Sequence, residues 1–227
     1  MSDSCLLDVQ GLTVFKEEGS NRSSLVKDFH FRLLEGEAVA LVGDSGSGKT
    51  LASLAIMKLL PYGLESEFGH IIWEGNNLSN ISEQEMHFYR GSQIAYVFQD
   101  PKTSLNPLLK ISELFEETFQ QHYSEWSRSK RLEEAKTRLS EVELDEKDIM
   151  HRYPHQLSGG QRQRVSIALS LAGDPKVLIA DEITTSLDPD TSQKIILLLK
   201  TLCRSRGMAF VFISHDIALA QQLCDRT

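Results

Sequence analysis

The chain has 227 residues, of which 41% are hydrophobic and 25% are charged, a composition typical of a globular protein with a sizeable core. Its formal net charge of −8 at pH 7 gives no support to a nucleic-acid-binding surface, which needs a clustered excess of basic side chains. Cys5, Cys203 and Cys224 are scattered and form no C-x-x-C unit, so the sequence predicts neither a disulfide framework nor a zinc knuckle.

The N-terminal part of the chain predicts two antiparallel strands. They are “LLDVQGLTVF” (6–15) and “VKDFHFRLLEG” (26–36). The polar segment between them, “KEEGSNRSS” (16–24), is predicted to be a loop.

Four further apolar runs follow, at 38–43, 94–100, 176–181 and 208–216. Their apolarity is continuous rather than alternating, which is typical of strands buried on both faces of a parallel sheet. Helices are predicted at 49–60, before Pro61, and at 190–206, before Gly207. Strands that alternate with helices indicate an α/β core.

From about 105 to 155 the sequence predicts helices and no strand, so a helical segment is inserted into the α/β core. Two stripes of apolar residues at helical spacing indicate the buried faces of these helices. The first stripe is Ile111, Leu114, Phe115 and Phe119, and the second is Leu132, Ala135, Leu139 and Val142.

The segment “GDSGSGKT” matches the phosphate-binding pattern G-x-x-x-x-G-K-[ST], and it lies between a predicted strand and a predicted helix. Glycines let the backbone approach a phosphate group, and N–H groups of the loop and the helix N-terminus face the anion. Lys49 would supply positive charge to the β- and γ-phosphates, and the Thr50 hydroxyl would bind Mg²⁺. The candidate loop is Gly43, Asp44, Ser45, Gly46, Ser47, Gly48, Lys49 and Thr50.

Polar residues follow three of the predicted buried strands, at the edge where open α/β sheets bind ligands. Asp181 and Glu182 end “VLIADE”. Beside a phosphate loop, Asp181 is the candidate to orient Mg²⁺ and Glu182 the candidate general base for an attacking water. Gln99 ends “IAYVFQ” and His215 follows “VFIS”. We expect His215 at the same edge, where it would contact a γ-phosphate.

A second glycine turn, “LSGGQ” at 157–161, opens another predicted helix. Paired glycines at a helix N-terminus suggest a second binding site for an anion. One domain thus carries two candidate phosphate loops, and the pattern alone does not explain why.

These motifs, in this order and together with “SLD” (186–188), resemble the nucleotide-binding subunit of an ATP-binding cassette (ABC) transporter over nearly the whole chain. “QDPKTSLNP” (99–107) and “YPHQLSGGQRQRV” (153–165) are more specifically similar to the ATPases of oligopeptide, dipeptide and nickel importers. The resemblance implies one P-loop NTPase domain with a RecA-like, mainly parallel sheet. Its α/β core would comprise 1–104 and 156–227, with an N-terminal antiparallel β subdomain and an inserted α-helical subdomain at 105–155.

The resemblance also implies roles for single residues. Glu182 would be the catalytic carboxylate, His215 the switch histidine, and Gln99 a contact for Mg²⁺ and water that couples the site to the helical subdomain. Phe15 is the nearest candidate to stack on adenine. In a dimer of two such subunits, the ATP of the other subunit would be contacted by Ser158, Gly159, Gly160 and Gln161. Asp188 would lie at the dimer seam.

The implied partners are a second ATPase subunit, identical or different, two integral membrane permease subunits that contact 105–155, and indirectly a substrate-binding protein. The implied cofactors are ATP and Mg²⁺, and the implied function is to power the uptake of peptides or nickel. The chain would be a peripheral subunit at the cytoplasmic face of the inner membrane, and no nucleic acid is expected as a partner. It ends at Thr227, one helix after His215, so the C-terminal part of the usual domain is expected to be absent. Two alternatives stay open: a soluble ABC ATPase of DNA repair or translation, and a truncated cassette that does not hydrolyse ATP.

Overall fold

The computed structural model describes residues 4–18 and 21–227. In chain order the strands are β1 (Cys5–Glu18), β2 (Asn21–Leu34), β3 (Ala38–Val42), β4 (Leu64–Glu67), β5 (His70–Trp73), β6 (Asn76–Asn77), β7 (Ile94–Val97), β8 (Val177–Asp181) and β9 (Ala209–Ser214). The helices are α1 (Lys49–Ile56), α2 (Glu83–Tyr89), α3 (Pro101–Ser104), α4 (Ile111–His122), α5 (Arg128–Glu141), α6 (Glu146–Ile149), α7 (Gly159–Ser170), α8 (Pro189–Arg206) and α9 (Ile217–Leu223), with a 3₁₀ turn at Pro154–Gln156.

These elements fall into two compact units. The described residues up to Arg90, together with 207–227, form the first unit, and 91–206 form the second. The sequence-based division into 1–104 with 156–227 and an inserted 105–155 stays a prediction.

The first unit contains an antiparallel sheet built around β1, which pairs with β2, β4 and β5. This confirms the two predicted antiparallel strands. The predicted loop at 16–24 is wrong over its described residues, because Lys16 pairs with Ser23 in a ladder that reaches Glu18 and Asn21. Gly19 and Ser20 lie outside the described residues. A strand ladder is made by backbone groups, so polar side chains do not stop it.

The first unit also contains the parallel pair β3 and β9, in register from Ala38↔Phe210 to Val42↔Ser214. Every residue of β9 is buried, as its continuous apolar run predicts. Helix α1 begins at Lys49 as predicted and ends at Ile56, short of the predicted end at 60. Lys58 has a φ of 51°, a left-handed conformation through which a helix does not continue.

The second unit is organised around the parallel pair β7 and β8, in register from Ile94↔Val177 to Val97↔Ala180. Both strands are buried along their whole length, which confirms the prediction for these runs. Strand β7 ends before Phe98 and Gln99, both of which are exposed. The polar residues that follow the two strands therefore emerge at one edge.

The segment 105–155, all of which is described, contains helical elements and no strand, as predicted. The stripe of α4 is buried at Ile111, Leu114, Phe115 and Phe119. The stripe of α5 is predicted correctly at Ala135, Leu139 and Val142 and wrongly at Leu132, which is 43% exposed. Leu132 lines an open cleft of about 650 Å³ beside α4 instead of packing between the helices.

Ion pairs join the helical segment to the rest of the second unit. The guanidinium group of Arg138, on α5, lies 2.9 Å from Asp174, and Arg206, at the end of α8, lies 2.9 Å from the same carboxylate. Arg206 also lies 2.6 Å from Glu141. Arg138 is buried, so its charge is compensated where water does not reach it. In the described part of the chain, no helix combines the length and apolarity needed to cross a membrane.

We expect Leu139→Ala to lower the free energy of unfolding by about 2–5 kcal/mol, because it leaves a cavity in the interface of α4 and α5. Leu132→Ala, on the same helix, is the matched control and should change it by less than about 0.5 kcal/mol. Urea unfolding followed by circular dichroism measures both. Equal losses would contradict the burial assigned to these two leucines.

Candidate functional site

The first candidate phosphate loop connects β3 to α1 and depends on its glycines. Gly48 is the N-cap of α1 with a φ of 91°, in the left-handed region that other residues rarely adopt. A Cβ at this position would lie 2.7 Å from Val26 Cγ2, so neither the conformation nor the space admits a side chain. Gly46 has a φ of 81° and open space around it.

The side chain of Lys49 turns back over this loop. Its Nζ donates hydrogen bonds to the carbonyl oxygens of Gly43 and Asp44, each at 2.8 Å, and to Ser47 Oγ at 3.2 Å. Thr50 follows on the first turn of α1 and is exposed. A cationic group enclosed by a glycine loop at a helix N-terminus fits the charge of a polyphosphate.

In the first unit, His215 follows the strand that pairs with β3, the strand from which this loop leaves. Ser214 ends β9 opposite Val42 at the end of β3, so His215 and Gly43 leave the parallel pair at the same edge. His215 is exposed. Its contact with a γ-phosphate stays a prediction.

The second unit brings three predicted residues together at the end of β8. Asp181 is the last residue of the strand and is buried, with 3% of its surface exposed. The next residue, Glu182, has a left-handed φ of 45°, and its Oε2 accepts a hydrogen bond from Gln99 Nε2 at 3.3 Å. Thr185 Oγ1 donates to the same oxygen at 3.2 Å. The buried carboxylate of Asp181 therefore precedes the more accessible carboxylate of Glu182, which is hydrogen-bonded to the side-chain amide of Gln99.

Sequence reasoning missed one residue of this group, Tyr96 on β7. Its hydroxyl donates a hydrogen bond of 2.9 Å to Asp181 Oδ2. The signal was available, because a tyrosine in a fully buried strand needs a partner for its hydroxyl group. Tyr96 fixes the orientation of the buried carboxylate.

The “LSGGQ” turn opens α7, as predicted. Ser158 is the N-cap, and its Oγ accepts from the backbone N–H of Gln161 at 3.2 Å. Gln161 Oε1 in turn accepts from the backbone N–H of Ser158 at 3.0 Å. This capping box leaves N–H groups of the first turn without partners inside the helix, which is the condition for binding an anion there.

Asp188 immediately precedes α8 in the same unit. The backbone N–H of Thr191, 2.9 Å from Asp188 Oδ1, lowers the pKa of this exposed carboxyl group below its ordinary value. The charged form therefore holds the first turn of α8, and the contact weakens only as the pH falls through the lowered pKa. Whether Asp188 lies at a dimer seam stays a prediction.

Phe15 does not present a free ring face. The ring is buried within β1, with 3% of the residue exposed. The guanidinium carbon of Arg22 lies 3.3 Å from the ring centroid, and Arg22 is held by Glu67 at 2.8 Å. Stacking of adenine on Phe15 would therefore require Arg22 to move away.

The predicted site residues are thus divided between the units. The phosphate loop and His215 belong to the first unit. Gln99, Asp181, Glu182, the “LSGGQ” turn and Asp188 belong to the second.

The sequence pattern of the family described as “ABC transporter” matches residues 26–185. Over 97% of its length the chain is 40% identical to the peptidoglycan transport ATP-binding protein YejF of Agrobacterium fabrum and to the oligopeptide transport ATP-binding protein OppD of Bacillus subtilis. It is also 40% identical to the glutathione import ATP-binding protein GsiA of Salmonella typhimurium. The chain spans 41%, 62% and 36% of the lengths of these relatives, respectively.

Among solved structures, the chain is similar to the dimeric ATP-binding cassette MJ0796 in a post-hydrolysis state bound to ADP and Pi. The TM-score is 0.83 at 31% sequence identity, over 95% of this chain and 90% of the other. For cbiO1 of Clostridium perfringens, part of the ABC transporter complex cbiONQ, the TM-score is 0.81 at 26% identity, over 98% of this chain and 83% of the other. The likeness confirms the predicted fold class.

We expect Tyr96→Phe to lower the free energy of unfolding by about 1–3 kcal/mol, because buried Asp181 loses a hydrogen-bond donor. Tyr62→Phe, at a fully exposed tyrosine, is the matched control and should leave it within about 0.5 kcal/mol. Urea unfolding at neutral pH measures the difference. If the two variants were equally stable, the Tyr96 hydroxyl would have no part in holding the carboxylate.

Proposed function

The chain belongs to the ABC transporter family, and from this premise we propose that it binds and hydrolyses Mg²⁺–ATP as the ATPase cassette of an importer. The observation that carries the proposal is the group at the end of β8, where Glu182 Oε2 lies 3.3 Å from Gln99 Nε2 beside buried Asp181. The relatives named above transport oligopeptides, glutathione and peptidoglycan, which favours peptides over nickel as the cargo.

The phosphate loop binds the nucleotide. Lys49 exchanges its bonds to the loop carbonyls for bonds to the β- and γ-phosphates, and the N–H groups of 43–50 contact the same anion. Thr50, Asp181 and Gln99 offer the oxygen donors that Mg²⁺ prefers. When bound there, the ion would neutralise phosphate charge.

Glu182 is the general base of the proposed reaction. It accepts a proton from water as the water oxygen bonds to the γ-phosphorus and the bond from that phosphorus to the leaving oxygen of ADP breaks. Gln99, hydrogen-bonded to Glu182, orients that water. Lys49 and His215 stabilise the charge of the γ-phosphoryl group in the transition state.

The second glycine turn acts on a partner. Ser158, Gly159, Gly160 and Gln161 contact the γ-phosphate of ATP held by a second ATPase subunit, identical or different, with Asp188 at the seam. The capping box supports this role, since it orients the first turn of α7 without occupying all its N–H groups. The dimeric form of MJ0796 supports it as well.

The proposed assembly also contains two integral membrane permease subunits, which contact 105–155, and indirectly a substrate-binding protein. The chain is then a peripheral subunit at the cytoplasmic face of the inner membrane. The net charge of −8 does not favour a DNA-repair or ribosome-bound ATPase. The contacts of Glu182 and the enclosed Lys49 do not favour a cassette that binds nucleotide without hydrolysis.

We expect Glu182→Gln to retain ATP binding and to lower the hydrolysis rate at least about 100-fold, because the amide cannot accept the proton. Glu133→Gln, at an exposed carboxylate on α5, should hydrolyse ATP like the unsubstituted chain. Phosphate release and equilibrium binding of a fluorescent ATP analogue measure the two quantities. Near-normal hydrolysis in Glu182→Gln would remove this residue from its role.

We expect Ser158→Arg to leave ATP binding by the isolated chain intact and to abolish cooperative hydrolysis, because the turn serves a partner's nucleotide. Ser82→Arg is the matched control. Ser82 is the N-cap of α2 and forms the same kind of capping box with Glu85, but it lies outside the “LSGGQ” turn. Both variants lose a cap, so only a loss specific to Ser158→Arg reports the proposed contact. Hydrolysis as a function of protein concentration measures it. Loss of ATP binding in Ser158→Arg would contradict action across a dimer.

A further inference from the structure

The two glycines of the “LSGGQ” turn are packed against the chain segment that follows Glu182. A Cβ built on Gly160 would lie 2.7 Å from Thr191 Cγ2, closer than side chains approach one another. A Cβ on Gly159 would lie 3.3 Å from Leu187 Cδ2, at the flexible end of a leucine. Both glycines lie in α7, so the close approach, and not an unusual conformation, demands glycine here.

Leu187 and Thr191 are connected to Glu182 by a short series of hydrogen bonds. The N–H of Thr185 donates to the carbonyl oxygen of Glu182 at 3.1 Å, and the N–H of Leu187 donates to that of Thr184 at 3.1 Å. Ser192 Oγ closes the series by donating to the carbonyl oxygen of Thr184 at 3.4 Å.

The first turn of α8 completes this connection. The N–H of Ser192 donates to the carbonyl oxygen of Asp188 at 2.9 Å, and that of Thr191 donates to Asp188 Oδ1 at 2.9 Å. Thr191 is β-branched, and in a helix its side chain has few rotamers in which to retreat. The segment 182–192, called the strut below, is therefore a rigid connection between the Glu182 carboxylate and the “LSGGQ” turn.

We propose that Thr191, with Leu187 beside it, is a positioning residue that fixes the distance between the “LSGGQ” turn and the loop carrying Glu182. The inference rests on the proposed function, in which Glu182 acts on the chain's own nucleotide and the glycine turn acts on a partner's. With the strut in place, the two groups move together, so events at one nucleotide reach the other through contacts inside a single chain.

Gly160 then has a requirement that phosphate binding alone does not impose. If the glycine served only to admit a γ-phosphate, an added methyl group would obstruct the nucleotide whatever stood at 191. If it also serves to admit Thr191, removal of Thr191 Cγ2 restores the space that the methyl group takes. The two requirements separate in a double variant.

The experiment compares Gly160→Ala, Thr191→Ser and the double variant in the full chain. Thr191→Ser removes Cγ2 and keeps the backbone N–H that bonds Asp188. We expect Gly160→Ala to lower kcat about tenfold with KM for ATP unchanged, and the double variant to return to within about threefold of Thr191→Ser, as for two residues in direct contact. Gly159→Ala, which meets Leu187, is the matched control and should not be rescued by Thr191→Ser.

A second readout does not depend on hydrolysis. Hydrogen exchange of the amides of 188–192 should be faster in Gly160→Ala than in the unsubstituted chain and should recover in the double variant. An unsubstituted chain without ATPase activity would overturn the proposed function, and exchange would still decide the packing. Failure of the double variant to recover exchange, or recovery of exchange without recovery of kcat, would overturn the positioning role.

Discussion

The burial of β7 and β8 on both faces is the constraint on which the candidate catalytic group depends. Backbone polar groups in such strands must pair with each other, and polar side chains have no room until the strands end. Asp181 and Glu182 therefore emerge at the end of β8, and Gln99 two residues after β7. The exception inside the strands is Tyr96, whose hydroxyl is satisfied by Asp181. Parallel register thus brings Gln99 to two adjacent carboxylates, Asp181 and Glu182, that lie far from it in the sequence.

The two glycine turns use glycine for different physical reasons. At Gly48 the left-handed φ of 91° and the approach of Val26 both exclude a side chain. The carbonyl oxygens of Gly43 and Asp44 hold the Lys49 ammonium group over the same loop. At Gly160 the conformation is helical, and only the approach of Thr191 makes the demand. The first turn therefore curves around the Lys49 side chain, whereas the second packs against Thr191 and Leu187 of its own chain and opens a helix. This difference matches the proposal that only the first turn holds the chain's own nucleotide.

Much of this site could be predicted from local pattern, and the failures have a common cause. Local pattern was sufficient for short segments whose residue types favour one backbone conformation. These are the loop at 43–50, the capped turn at 158–161 and the carboxylates at the end of a strand. Leu132 and the segment 16–24 were misjudged because helical period and polarity do not show which neighbours a residue meets once the chain is folded. Leu132 faces a cleft, Lys16 finds a strand partner in Ser23, and Phe15 is covered by Arg22.

By itself the sequence determined the α/β class, the glycine loop between β3 and α1 and the polar residues that follow buried strands, because period, turn chemistry and spacing are local properties. Only the tertiary structure decided which side chains touch. It placed Gln99 on Glu182, Tyr96 on Asp181 and Thr191 on Gly160. Each of these contacts joins residues more than thirty positions apart. Their distances depend on strand register and helix packing, which no single stretch of sequence specifies.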